Sequence, residues 1–169
     1  MDLRLTPTSY IVLGLLDVAG EATPYDLKQA VAASVGNFWT LQHSQLYAEP
    51  ERLARAGLLD EEREETGRRR RRYRLTGEGR RALRAWREDV RPEPTELRDP
   101  GLLKLFLGAD PAALAAGQVE AHRAKLADYE AQRAACPPEV PEGIVLSLDA
   151  GIAHEREWVR FWGGVAEGG

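Results

Sequence analysis

The stretch from His43 to Gly79, HSQLYAEPERLARAGLLDEEREETGRRRRRYRLTGEG, limits what this chain can fold into more than any other. Leu46, Leu53 and Ala56 face inward from a helix that begins near Leu41 to Ser44, and Gly57 suits the position just past its end. His43, Ser44, Gln45, Tyr47, Glu49, Arg52 and Arg55 remain for the outside. Leu58 to Glu64 reads as a short strand, Thr66-Gly67 as a turn, and Arg68 to Leu75 as the returning strand. Alternation on the return sets Arg70, Arg72 and Arg74 on one face and Arg71, Tyr73 and Leu75 on the other. Thr76 caps a further helix whose Leu83, Trp86 and Val90 share a stripe. A helix followed by a hairpin tipped with the unbroken run Arg68 to Arg72 is far more specific than either part alone.

The rest of the chain arranges itself around this stretch. Thr6 or Thr8 caps a first helix, with Pro7 near its first turn, that is apolar on most faces and ends near Gly20. Gly20 to Thr23 reads as a short turn. Thr23 and Pro24 then open a second helix reaching about Ser34, with Leu27, Ala30 and Val31 on one side. Arg91-Pro92-Glu93-Pro94 is the expected domain boundary, since prolines two apart end a helix and stiffen a linker. Three helical segments are predicted beyond it: Asp99 to Leu107, Asp110 to about Ala135, and Glu142 to about Trp162, with Gly163 to Gly169 as a frayed tail. In the long middle segment, positions 115, 119, 122, 126, 129 and 133 alternate steps of four and three, as a helix–helix seam requires. Val145, Leu148, Ile152, Val159 and Trp162 form a comparable stripe, with Glu155 as its lapse.

The expected fold is mainly α with a small β-hairpin. Residues 1–91 form an N-terminal winged helix-turn-helix domain, and residues 92–169 a C-terminal helical dimerisation domain. In such a fold one helix enters the major groove of a DNA duplex and the hairpin straddles the adjacent backbone. The net charge of −4 argues against a nucleic-acid partner, but its distribution reverses that inference. Residues 1–91 carry a net +2, with the arginines clumped, whereas residues 92–169 carry −6. A concentrated basic tip binds phosphate locally whatever the total. The outer helix residues His43, Ser44, Gln45 and Tyr47 and the arginines Arg68, Arg69, Arg70, Arg72 and Arg74 are therefore the expected DNA-contacting set. The rival reading is a winged-helix interaction module whose arginine tip docks an acidic partner protein.

Other chemistries have little support. His43 and Ser44 are adjacent and point about 100° apart on a helix, with no third orienting group, so no enzyme activity is expected. His122, His154 and Cys136 lack paired metal-ligand spacing, and no metal or cofactor is expected. Trp39, Tyr129, Trp158 and Trp162 could line a pocket for a flat aromatic effector. A single cysteine, an N-terminus with Asp2 and Asp17 and almost no basic segment, and no apolar run near ~20 residues point to a cytoplasmic protein away from membranes.

Tyr47, Arg52, Leu53, Gly57-Leu58, the arginine hairpin, Tyr73-Arg74-Leu75-Thr76 and Gly79 together resemble the PadR family of bacterial transcriptional regulators. Leu15-Leu16 and Pro24-Tyr25-Asp26-Leu27 extend the likeness toward the N-terminus. Leu97-Arg98-Asp99-Pro100 and the long helical half resemble the larger subfamily, in which several C-terminal helices build the dimer. The resemblance implies DNA contacts from Tyr25, His43, Gln45, Tyr47 and the wing arginines. It also implies a homodimer on a palindromic operator, acting as a repressor relieved by a small molecule. Two residues depart from the family pattern: Ala48 replaces a proline, and Pro50 replaces a buried leucine within the recognition helix. An interior proline costs about 3 kcal/mol in a regular helix. The sequence therefore predicts either a kink or a helix whose regular part begins near Glu49, with Glu49 and Glu51 repelling phosphate.

Overall fold

The computed structural model describes residues 4–63 and 70–168. The chain divides into two compact units, one ending at Glu93 and the other beginning at Pro94.

In the first unit, helices start where their caps dictate. Thr6 caps α1 (Pro7–Ala19) and Thr23 caps α2 (Pro24–Ala32), each hydroxyl accepting from the backbone N–H three residues on. A single 3₁₀ turn, Val35–Asn37, precedes α3 (His43–Arg55), which ends in a left-handed Gly57 at φ 76°. The strands are β1 (Glu21–Ala22), β2 (Leu59–Arg63) and β3 (Arg71–Leu75), and Thr76 caps α4 (Gly77–Glu88). The sheet is antiparallel in the order β1-β3-β2, with Tyr73 opposite both Ala22 and Glu61. Val12, Leu13 and Leu16 of α1 sit at the centre of a core shared with Leu27, Leu46, Leu53, Tyr73, Leu75 and Leu83.

Three expectations change in three dimensions. Residues 21 and 22, read as part of a turn, are a strand: Glu21 pairs with Arg74, and Ala22 is buried against the sheet. Two residues are too few to show any periodicity. The recognition helix is a single α-helix from His43 to Arg55 with Pro50 inside it, so its regular part does not begin near Glu49. The proline ring is buried beside Leu46 and Leu53 on the inner face, where packing offsets the missing backbone donor.

The third change lies in the second unit, built from α5 (Pro100–Phe106), α6 (Pro111–Ala134) and α7 (Glu142–Ala166). The segment from Gly163 continues α7 to Ala166, because Trp162 is fully buried and Val165, one turn on, packs against the same cluster. Helices α6 and α7 run antiparallel, as the paired residues His122–Glu155 and Arg133–Asp149 show. The seam predicted on α6 is occupied within the chain by α7. Ala115 and Val119 pack in one cluster with Trp162, and Tyr129 lies over Gly151, where a Cβ would stand 3.1 Å from its ring. Glu155, the lapse in the apolar stripe, sits opposite His122, one of the two polar residues of the other.

Candidate nucleic-acid interface

Helix α3 buries Leu46, Pro50 and Leu53 and turns His43, Ser44 and Tyr47 outward, Tyr47 being 50% exposed despite its aromatic ring. His43 and Tyr47 lie one helical turn apart on one face. Gln45 is also exposed, but its side-chain oxygen accepts the backbone N–H of Gln42 at 3.1 Å and so closes the helix N-terminus. Tyr25, in the first turn of α2, is 59% exposed, and its hydroxyl accepts from Gln29 Nε2 at 2.9 Å.

Helix α3 is fastened from behind. Glu49, expected among the outward residues, turns toward α1 instead. Ser9 Oγ, completely buried, donates to Glu49 Oε1 at 2.6 Å, and Arg52 Nη2 donates to the same oxygen at 2.6 Å and to Ser9 Oγ at 3.0 Å. Burial pushes the Glu49 carboxyl upward, but the hydrogen bonds from Arg52 and Ser9 outweigh this and hold it below the usual range. A neutralised, inward carboxylate does not repel phosphate. Glu51 is likewise paired, with Arg55 at 2.9 Å and with Arg71 at 3.3 Å, which ties α3 to β3.

The wing differs from a bare basic tip. Arg68 and Arg69 lie outside the described residues. Arg70 is exposed. Arg72 Nη1 donates to Glu21 Oε1 at 2.7 Å, and Arg74 donates to Glu21 Oε2 at 2.9 Å and to Glu62 Oε2 at 2.7 Å. Arg71 lies 3.6 Å from Glu61. Below the wing, Thr76 Oγ1 donates to the Gly57 carbonyl at 2.8 Å and accepts from Gly79 N–H at 3.0 Å, joining the end of α3 to the start of α4. Gly79 is required there, since a Cβ would stand 2.2 Å from the Leu58 carbonyl oxygen.

The four aromatics of the expected effector pocket do not belong to one unit. Trp39 borders a hollow of about 210 Å³ with Lys28, His43 and Leu46 in the first unit. Tyr129 and Trp162 are buried packing residues of the second. Trp158 alone among these three lines an open space, a hollow of about 310 Å³ with Asp99, Gln118, His122 and His154. Its indole N–H donates to Asp99 Oδ2 at 2.7 Å, and His154 stacks on it with 4.7 Å between ring centroids. Ser9 and Glu21 were not among the residues expected to matter. Ser9 carries no signal in the sequence beyond being a polar residue in an apolar helix, and Glu21 carries none.

A three-stranded wing, a recognition helix with its polar face open and a helical second unit define a winged helix-turn-helix protein of the transcription-factor class. Residues 12–85 match the Transcriptional regulator PadR-like family. The chain is 28% identical to the negative transcriptional regulator PadR of Bacillus subtilis (strain 168), over 90% of this chain and 91% of that one. Residues 12–85 carry the match to that family, and the likeness to the Bacillus subtilis protein extends over nearly the whole chain. The same fold is seen in the crystal structure of Bacillus subtilis PadR in complex with operator DNA, with a TM-score of 0.83, 23% identity and coverage of 98% and 99% of the two chains. In the complex of that protein with p-coumaric acid the TM-score is 0.75, at 24% identity and 96% and 97% coverage. Among the described residues no helix is long and apolar enough to cross a membrane.

Proposed function

We propose that this chain is a homodimeric repressor that binds a palindromic operator in double-stranded DNA and is released by a small aromatic effector. The carrying observation is the outward row His43, Ser44 and Tyr47 at the start of a helix held from behind by Ser9, Glu49 and Arg52. The likeness to the Bacillus subtilis repressor along nearly the whole chain supports the reading, as do that protein's structures with operator DNA and with p-coumaric acid. In the proposed complex α3 enters the major groove, Tyr25 and Tyr47 reach phosphates, and Arg70 follows the neighbouring backbone. Arg68 and Arg69 belong to the same proposal by their place in the sequence. Two copies joined through the second unit would set their recognition helices ~34 Å apart. The regulator acts in the cytoplasm, where its operator lies.

For the effector, the hollow beside Trp158 replaces the four-residue grouping read from the sequence. A flat ring would stack there on an indole already oriented by Asp99, with His122 and Gln118 in reach of its polar groups.

The test is a footprint on the DNA upstream of the protein's own gene, repeated with phenolic acids. A protected palindromic segment that retreats on titration is expected. Binding with no preference among duplex sequences would favour docking to an acidic protein instead. Arg70→Ala should weaken binding to every duplex and flatten its salt dependence by about one unit. Unchanged affinity and slope would remove the wing from the interface.

A further inference from the structure

The wing's arginines are the obvious phosphate binders, yet the described ones are mostly engaged. Arg63 lies 2.5 Å from Glu61, Arg71 is flanked by Glu51 and Glu61, and Arg72 and Arg74 converge on Glu21. Among the described residues Arg70 is the one wing arginine with no ion pair. Glu21 is the carboxylate shared by Arg72 and Arg74, while Arg74 also donates to Glu62. It lies on β1, directly opposite Arg74 in the strand register, and its two oxygens are divided between two guanidiniums. Those two hydrogen bonds, Arg72 first and Arg74 second, hold the Glu21 carboxyl below its ordinary range.

We propose that Glu21 is a specificity-setting residue: it holds Arg72 and Arg74 on the sheet, and so keeps them from contributing to sequence-independent phosphate binding. The inference rests on the DNA-binding reading above. Its physical basis is ion exchange. A free arginine that meets phosphate releases a condensed counterion, which drives non-specific affinity and its salt dependence. An arginine already bound to a carboxylate must leave it, and the stranded carboxylate recruits a cation from solution, so the net release vanishes. Non-specific binding then falls while contacts from α3 to base edges are untouched. Specificity, the ratio of the two affinities, rises. The pairs are half exposed, so each is weak by itself in water. The strand pairing that fixes Glu21 removes the entropy cost of bringing the acid to the arginines.

The experiment measures binding of the full-length chain to a non-operator duplex by fluorescence anisotropy across a salt series. It compares wild type, Glu21→Gln, Arg72→Ala with Arg74→Ala, and the triple variant. Glu21→Gln should tighten binding several-fold and steepen the salt slope by up to about one unit, since Arg74 keeps its bond to Glu62. The double variant should stay near wild type, and the triple variant should match the double. A Glu21→Gln chain with unaltered slope overturns the proposal. So does a gain that persists in the triple variant, which would report only the removal of a negative charge near DNA. A double variant whose slope falls by about two units also overturns it, because the arginines would then reach phosphate despite Glu21. If the wild-type chain binds no duplex, the DNA-binding reading fails instead. The clamp is still read by NMR of the Arg74 guanidinium, whose rotation about Nε–Cζ should quicken in Glu21→Gln and would be unchanged if Glu21 held nothing.

Discussion

The Glu49 carboxylate shows how a single residue couples the recognition helix to the body of the first unit. Its folded pKa lies below the ordinary value of 4.5. The stabilisation it contributes is therefore complete above that value and lost as pH falls through the lowered folded one. Urea midpoints measured from pH 6 to pH 3 should drop below about pH 4.5, and Glu49→Gln should lessen that drop. At neutral pH the same substitution should cost about 1–3 kcal/mol, since it weakens charge-assisted bonds to Arg52 and a buried serine. Gly79 makes a steric demand of the same order. Gly79→Ala forces a Cβ onto the Leu58 carbonyl, and a loss of roughly 1–3 kcal/mol is expected in denaturant titration. Gln45 has two jobs that one substitution can separate. Gln45→Glu keeps the oxygen that caps α3 but removes the amide donor, whereas Gln45→Ala removes both. If Gln45 reads a base edge, Gln45→Glu should lose operator preference with little change in melting temperature.

Among the elements, α3 and the α6–α7 pair rest on opposite devices. Helix α3 tolerates Pro50 because the ring faces the core and the residue before it is anchored to α1, so tertiary contacts offset a local cost of about 3 kcal/mol. The α6–α7 pair instead carries a polar contact inside an apolar seam, His122 Nδ1 to Glu155 Oε2 at 2.6 Å, with both side chains largely buried. Glu155→Ala would strand the histidine and should destabilise the second unit by roughly 1–3 kcal/mol, while Glu155→Gln keeps a partner in place and should cost less. Equal losses in the two variants, read by thermal melting, would show that the pair only fills space.

On the scale of the molecule, the charge division between residues 1–91 and 92–169 matches a basic working unit and an acidic assembly unit. The second unit leaves Leu103, Phe106 and Leu107 more than half exposed around the end of α5. Apolar side chains clustered this way mark a surface for another chain. Leu103→Asp with Phe106→Asp should lower the mass seen by light scattering from two chains to one. It should also weaken binding to a two-half-site operator by about 10²-fold or more, as the second half-site ceases to be tethered. An intact dimer in that variant would place the interface elsewhere.

Much of this was legible residue by residue. Thr6, Thr23, Thr76 and Asp110 announce helix starts because a capping side chain acts within three residues of itself. The hairpin and the α6 and α7 stripes follow from short periodicities in the same way, whereas Val90, read as part of the α4 stripe, lies beyond Glu88 and is 90% exposed, and Ala56, read as inward, is exposed past the end of α3. The sequence by itself therefore determined the helices, the two strands of the hairpin and the likeness to the PadR-like family. Only the tertiary structure decided that residues 21 and 22 form a strand, that Glu49 points inward, that Pro50 lies within an unbroken helix, and that Arg71, Arg72 and Arg74 are already held by carboxylates. Each of these depends on partners far along the chain, such as Ser9 for Glu49 and Arg72 and Arg74 for Glu21. No local pattern encodes contacts of that range, because they exist only once the core has brought the segments together.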